Sequence, residues 1–382
     1  MILFNISPIC LKTGIVLEQS ELLLKGFEEY KEKFKFISYK KIINFKRKVL
    51  LFFKISYFNI EKFKKSPDYE FLKDKIKIIN IFNLNEEDKI ALEINKKNNE
   101  IIVESHIKNK EIPKCYYCGK LTGKIEYIIY ELFQRKCIQF GNINELTIKG
   151  INFLNENIEN SFFNLPKKPV SSIISVGEGI KKVTQKNYIN LKHNLYPYIL
   201  AIGQEDISIY RVDSIISFKK LGSNCFGPLT LWSILSLSCG YEDPDLASSD
   251  FSKGNNTLID LSVGDIYGGS YDNIALSSEL IGSSFGKFKN IEDVNKVDNK
   301  DISKSLAILY GATYSHVTSM VSYKENIDKV IISGNPFDSL ELFQIIQTSI
   351  GRYSNNSKET FFNDYLEYFE ILGIYADLGC KI

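Results

Sequence analysis

The chain has 382 residues, of which 44% are hydrophobic, 25% charged and 13% aromatic; these are globular proportions, and they exclude a largely disordered, fibrous or coiled-coil chain. Lysine and arginine total 48 against 46 acidic residues, and only Arg47, Arg135, Arg211 and Arg352 are arginine, so the charge implies neither a nucleic-acid partner nor a membrane surface. Seven cysteines in no regular framework suit a reducing compartment, the cytosol, better than a secreted scaffold.

The length exceeds one ordinary core and predicts two lobes. Met1 to Lys12 lacks a basic start and a small-residue cleavage site and reads as a strand. Leu22, Leu23, Phe27 and Tyr30 recur at helical spacing and predict a helix over 20–34. KVLLFFKISYF and KIKIINIFNL read as strands, the lysine-rich KKIINFKRK before them as a solvated face, and NKKNNE at 95–100 as a turn. Ile125, Ile128, Ile129, Leu132 and Phe133 predict a helix over 119–138. Asn155 to Val170, broken by Pro166 and Pro169, is the expected boundary between a strand-rich N-terminal lobe, 1–160, and an α/β C-terminal lobe, 161–382. In the second half the apolar runs YPYILAI and DKVIISG alternate with helical stretches at 302–324 and 338–350, which argues for α/β layers without an evident internal repeat. The uncharged run Leu221–Tyr241 is about long enough to span a bilayer, but its glycines, Pro228 and serines make it a loop entering a buried helix.

Few motifs carry chemistry alone. Cys115 and Cys118 form one CxxC without a second pair, and His106, His193 and His316 are dispersed, so no metal ligand set or catalytic triad is legible. Gly177-Glu178-Gly179 follows an apolar run but lacks the third glycine of a phosphate-cradling loop, and reads as a turn. The run Asp265 to Tyr271, DIYGGSY, puts Tyr267 and Tyr271 beside a permissive Gly268-Gly269 turn, and SSFGK follows at 283–287; turn and binding loop are equal readings.

Ordered blocks nevertheless resemble the type II, eukaryotic-like pantothenate kinase family. NLYPYIL is similar to its NPYP strand, KGNNTLIDLSVGDIYGGSY to its KGD…DIYGGDY segment, IALSSELIGSSFGK to its ASSFGN segment, ENIDKVIISGN to its ENIDRVVFVGN strand and YFEILG to its GYFGAxGA helix start. The likeness is good from 194 to 378 and poor over 1–160. It implies a two-lobed actin-like, sugar-kinase-like ATPase fold with ribonuclease H-like lobes. It also implies Mg-ATP-dependent phosphorylation of pantothenate at the start of coenzyme A synthesis, in a homo- or heterodimer, with no nucleic acid and no membrane. By resemblance, Tyr267, Tyr271, Gly282 and Ser283 lie on the pantothenate and dimer side, Lys220 replaces an arginine that contacts substrate or phosphate, and Gly227, Thr230, Gly334 and Asn335 belong to the nucleotide side.

Phosphoryl transfer needs amide-rich turns, a cation and a base. The family's first phosphate loop, DIGGT, stands here as Asn5-Ile6-Ser7-Pro8-Ile9, and its second, MGSG, as Gly203-Gln204-Glu205-Asp206. Pro8 removes an amide donor, and Glu205 and Asp206 bring negative charge to where phosphate should lie. The third, GGGT, stands as Gly227-Pro228-Leu229-Thr230. The catalytic glutamate maps onto Asn155 or, one residue on, Glu156. Losses cluster on the nucleotide side. They imply a degenerate subunit completing the site of a competent paralogue, with a coenzyme A-sensing regulatory protein and an autonomous kinase using Glu156 as the other readings.

Overall fold

The structure, a computed structural model, describes residues 2–6, 10–18, 37–45, 48–56, 65–71, 73, 115–119, 137–177, 185–242, 244–270, 276–290, 297–334 and 339–379. They fall into two compact units, residues 1–147 with 370–382, and residues 148–369. The helix expected over 20–34, the strand KIKIINIFNL and the turn at 95–100 lie outside the described residues, as does the interior of the helix expected over 119–138, whose flanks belong to strands.

The first unit holds a six-stranded sheet of β1 (Ile2–Ile6), β2 (Cys10–Glu18), β3 (Ile37–Phe45), β4 (Lys48–Ser56), β5 (Cys115–Gly119) and β6 (Cys137–Gln139), in the order β3-β4-β2-β1-β5-β6. β1 pairs antiparallel with β2, β2 with β4, and β4 with β3, whereas β1 to β5 and β5 to β6 are parallel. KVLLFFKIS is a strand as expected, and residues 40–45 of the lysine-rich segment before it belong to a strand too, β3.

Next come α1 (Ile143–Asn157), β7 (Phe162–Asn164), β8 (Asn187–Ile189), β9 (Tyr198–Gly203), β10 (Ile207–Val212), β11 (Phe218–Asn224), α2 (Pro228–Cys239), α3 (Pro244–Asp250), β12 (Leu261–Ser262), α4 (Val263–Tyr267), β13 (Ile281–Ser283), α5 (Asn299–Glu325), β14 (Lys329–Ser333), α6 (Leu340–Tyr353), β15 (Glu359–Asn363) and α7 (Phe369–Gly379). The seven-stranded sheet of the second unit runs β11-β10-β9-β14-β15-β7-β8. β9, β10 and β11 form an antiparallel meander, and β14 and then β15 add parallel on the other side of β9. With β3 left out of the first sheet and the β7–β8 pair out of the second, the five remaining strands of each, numbered in chain order, share the order 3-2-1-4-5 with the second strand reversed, which is the ribonuclease H-like order. The expected α/β fold of ribonuclease H-like lobes follows from this strand order.

Local chemistry accounts for these elements. Every residue of β9, YILAIG, is buried, so a continuous apolar run forms a central strand. α5 starts on Asp298, whose side chain accepts from the Lys300 amide, and stops at Asn326 with φ 53°. α6 starts on Ser339, whose hydroxyl accepts from the Leu342 amide. α2 buries Pro228, Leu231, Trp232 and Leu235, while Leu237 is 89% exposed, so the uncharged run, expected as a loop entering a buried helix, is the end of strand β11 followed by a helix buried on one face only. Among the described residues no helix is long and apolar enough to cross a membrane.

One close approach is decisive for stability. Gly150 lies in α1 where an added Cβ would overlap the Phe369 carbonyl and stand 2.9 Å from Phe369 Cα. Glycine to alanine within a helix ordinarily favours the helix by about 1 kcal/mol, but overlap with backbone outweighs this, because core overpacking costs about 1–3 kcal/mol. Gly150→Ala is expected to lower the urea midpoint, whereas Gly222→Ala on β11, where a Cβ would meet nothing within 4 Å, leaves it within error. Equal midpoints for the two variants would contradict the packing.

Candidate functional site

The β9–β10 hairpin register pairs Gly203 with Ile207, so Gln204, Glu205 and Asp206 form its connection, closed by the Gln204 amide donating to the Asp206 carbonyl at 2.9 Å. Two further segments crowd this turn. A Cβ on Gly227, the N-cap of α2, would overlap the Glu205 carbonyl and stand 2.6 Å from Asp206 Cα. A Cβ on Gly334, whose φ of +73° already favours glycine, would lie 2.7 Å from the Gly203 carbonyl oxygen and 3.3 Å from Gln204 Cγ. The structure therefore gathers Gly203–Asp206, Gly227 and Gly334 at one point. Behind it Tyr314 donates to the Ala201 carbonyl at 2.8 Å.

The chemistry of the turn is acidic. Glu205 is exposed, and the Asp206 carboxylate accepts the Ser208 hydroxyl at 2.8 Å. α2 begins with Pro228, which has no amide hydrogen, and Gly227 supplies no side-chain cap. Thr230, in the first turn, donates its hydroxyl to the Cys225 carbonyl at 3.1 Å. Lys220 is exposed on the edge strand β11 opposite Tyr210, four residues or about 13 Å along the strand from the hairpin connection. Asn335 lies outside the described residues.

Glu156 sits in the last turn of α1 and is exposed, whereas Asn155 is buried at 8% exposure. Of the two registers for a base, only Glu156 therefore meets solvent. Tyr196 donates to Asn152 Oδ1 at 2.9 Å, one helical turn before Glu156, and its phenol is pushed up to about 12 by burial and then by the Glu156 charge. Lys329 fixes this segment by donating to the Asn194 carbonyl at 2.5 Å, Asn194 Oδ1 at 3.0 Å and the Tyr196 carbonyl at 3.3 Å.

The DIYGG and SSFG blocks form a second constellation on the β12–β13 ribbon, where Leu261 pairs with Ser283 and Ser262 with Ile281. Ser262 caps α4: its hydroxyl accepts the Asp265 amide at 3.0 Å, and the Asp265 carboxylate accepts the Ser262 amide at 2.8 Å. Gly268, at φ 79°, ends the helix. A Cβ on Gly282 would stand 2.6 Å from Ile266 Cδ1, so the two blocks touch. Gly282 and Ser283 are exposed, as are Leu258 at 58%, Ile266 at 45% and Tyr267 at 60%. Tyr271 lies outside the described residues.

Sequence reasoning missed Asp260, Asn256, Lys304 and Ser305, all buried, which link these blocks from below. A lysine or aspartate in a polar stretch reads as surface, and nothing in their spacing signals otherwise. Among the described residues no group of three or more histidine, cysteine, aspartate or glutamate side chains is placed to hold a metal ion.

Comparison with known proteins places these constellations in context. The family model described as Fumble matches residues 41–377. A pantothenate kinase of Schizosaccharomyces pombe is 25% identical over 282 residues, 72% of this chain and 66% of the relative. A 4'-phosphopantetheine phosphatase of Mus musculus is 24% identical over 278 residues, 72% of this chain and 32% of the relative. The chain spans less than two thirds of the length of the curated relatives it matches. A solved glucokinase of Balamuthia mandrillaris aligns over 98% of this chain and 92% of its own at 11% identity and a TM-score of 0.39, too loose a likeness to add to the strand order.

Lys287 bridges Asp265 Oδ2 at 2.7 Å, and this contact, with the Ser262 bonds, lowers the Asp265 carboxyl to about 2. A depressed carboxyl contributes stability above its unfolded pKa of about 3.9 and loses it as pH falls through the folded value. The unfolding midpoint of Lys287→Met is therefore expected to fall below that of the unmodified chain at about pH 6, with the gap closing between about pH 4 and about pH 2. A gap independent of pH would contradict the pairing.

Proposed function

The chain belongs to the Fumble family, the eukaryotic-like pantothenate kinase family, and from this premise we propose that it serves pantothenate phosphorylation as a subunit with a silent nucleotide pocket that completes the site of a competent kinase paralogue. Its place is the cytosol, its ligand pantothenate, and Mg-ATP is the co-substrate of its partner.

The observation that carries this reading is the acidic turn at Glu205 and Asp206. A triphosphate and its magnesium need amide donors and positive charge. The cradle at Gly203, Gly227 and Gly334 instead offers two carboxylates, a helix start without its first amide hydrogen and backbone already in contact with backbone. These residues do not fit the group. A carboxylate about 4 Å from a phosphate oxygen costs between about 1 and about 4 kcal/mol, according to how wet the site is, or roughly fivefold to a thousandfold in affinity for each pair.

The other face supports a role across an interface. Ser262, Asp265 and Lys287 hold the DIYGG and SSFG blocks in a defined ribbon, which displays Ile266, Tyr267, Gly282 and Ser283. A ring such as Tyr267, apolar over most of its area with a hydroxyl at its tip, suits a pocket wall or a dimer contact. Lys220 supplies positive charge without the planar fork of arginine, so it can neutralise an anion but cannot grip it at two points.

Co-expression with the competent paralogue tests the proposal. Tyr267→Ala is expected to lower pantothenate phosphorylation by the complex at least severalfold while the two chains still co-purify. Equal rates would overturn it, as would turnover by the purified chain alone that Glu156→Gln abolishes.

A further inference from the structure

Beneath the ribbon, the Gly177 turn and the Ser283–Gly286 turn share one buried polar network. Asp260 is fully buried on the short connection before β12. Its Oδ1 accepts the Phe285 amide at 2.8 Å and also the Ser305 hydroxyl, and its Oδ2 accepts the Asn256 side-chain amide at 2.6 Å. Phe285 has φ 58°, a left-handed conformation that a bulky residue keeps only when its surroundings hold it there. Asp260 supplies that hold.

The same network reaches Gly177, about a hundred residues earlier in the chain. Asn256, also fully buried, accepts the Gly177 amide on its Oδ1 at 3.2 Å, and the Gly177 carbonyl accepts Lys304 Nζ at 2.8 Å. Both backbone polar groups of this one glycine are thus held by buried side chains. Lys304, 2% exposed on α5, also feels the charges of Asp260 and Asp301. Main-chain bonds run beside these: the Val176 amide donates to Glu279, and Ile281 donates to Ile174.

Burying an aspartate, a lysine and an asparagine is a poor way to gain stability, since well-packed apolar side chains would do as well or better. A fully satisfied network does rigidify what it joins. Here it joins the exposed Ser283 turn to a glycine turn that no other part of the site explains. We propose that Asp260 and Lys304 are positioning residues that lock the Gly177 turn and the Ser283–Gly286 turn into one element, which makes the Gly177 turn a wall of the pocket that Ser283 lines. The pocket function rests on the pantothenate-side reading above. The locking stands on geometry alone.

Two measurements separate these layers. Hydrogen exchange on the full chain reads the locking. Lys304→Met removes the bond to Gly177 and the positive charge beside Asp260 and Asp301, and touches no atom of Phe285's own bond; it is expected to speed exchange at least tenfold in peptides holding Phe285 as well as in those holding Gly177, and Lys304→Arg is expected to restore protection in both. Faster exchange confined to 174–177 would overturn the locking. Should Lys304→Met fail to fold, Ser305→Ala, which deletes one hydroxyl, is read at Gly177 in the same way. Kinetics of the co-expressed complex reads the pocket. Ser305→Ala is expected to raise the KM for pantothenate severalfold and leave the KM for ATP unchanged. Equal rises in both KM values, or none in either, would overturn the positioning role. A complex in which even Tyr267→Ala changes nothing would instead remove the functional reading and leave the exchange result standing.

Discussion

Backbone crowding at the β9–β10 turn is the constraint on which the second unit depends. Gly227 and Gly334 are at contact distance from the carbonyls and Cα atoms of 203–206, so three chain segments meet where no side chain fits between them. Packing of this kind is indifferent to charge. It fixes the outline of the turn whatever side chains the turn carries, and it explains how Glu205 and Asp206 can occupy the turn without loss of fold. Both are tolerated in water at a hairpin tip, one exposed and the other bonded to Ser208.

The ribbon at β12–β13 is built on the opposite principle. Its conformation depends on specific polar pairs, Ser262 with Asp265, Asp265 with Lys287 and Asp260 with Phe285, rather than on crowding. Each pair fixes the direction of a backbone amide or a helix end, and removing one partner leaves the other buried or half-buried without its counterpart. The two constellations of the unit thus differ in what holds them, and in what they carry: carboxylates at one, hydroxyls, a ring and glycine backbone at the other.

Much of this was legible in the residues. β9 and β14 are continuous apolar runs between polar segments, and α5 and α6 follow helical periodicity to within a few residues at each end. The family blocks led to Gly227, Gly334, Tyr267 and Ser283, and the register left open at Asn155 and Glu156 becomes a difference in exposure once α1 is seen. β3 was not legible, because a lysine-rich sequence on a sheet looks like a loop until its partner strand is known. The shared strand order of the two units was hidden for a related reason: hydrogen-bond order repeats without any repeat of side chains. Asp260 and Lys304 were invisible because a charged residue carries no mark of burial; only the bonds to Phe285 and Gly177 show where they lie.

Calorimetric titration of the purified chain with Mg-ATP addresses the central claim most directly. The account predicts no binding in the micromolar range, and a gain of at least tenfold when Glu205→Ser and Asp206→Gly are combined. Micromolar binding by the unmodified chain, with protection of residues 203–206 on addition of the nucleotide, would contradict it.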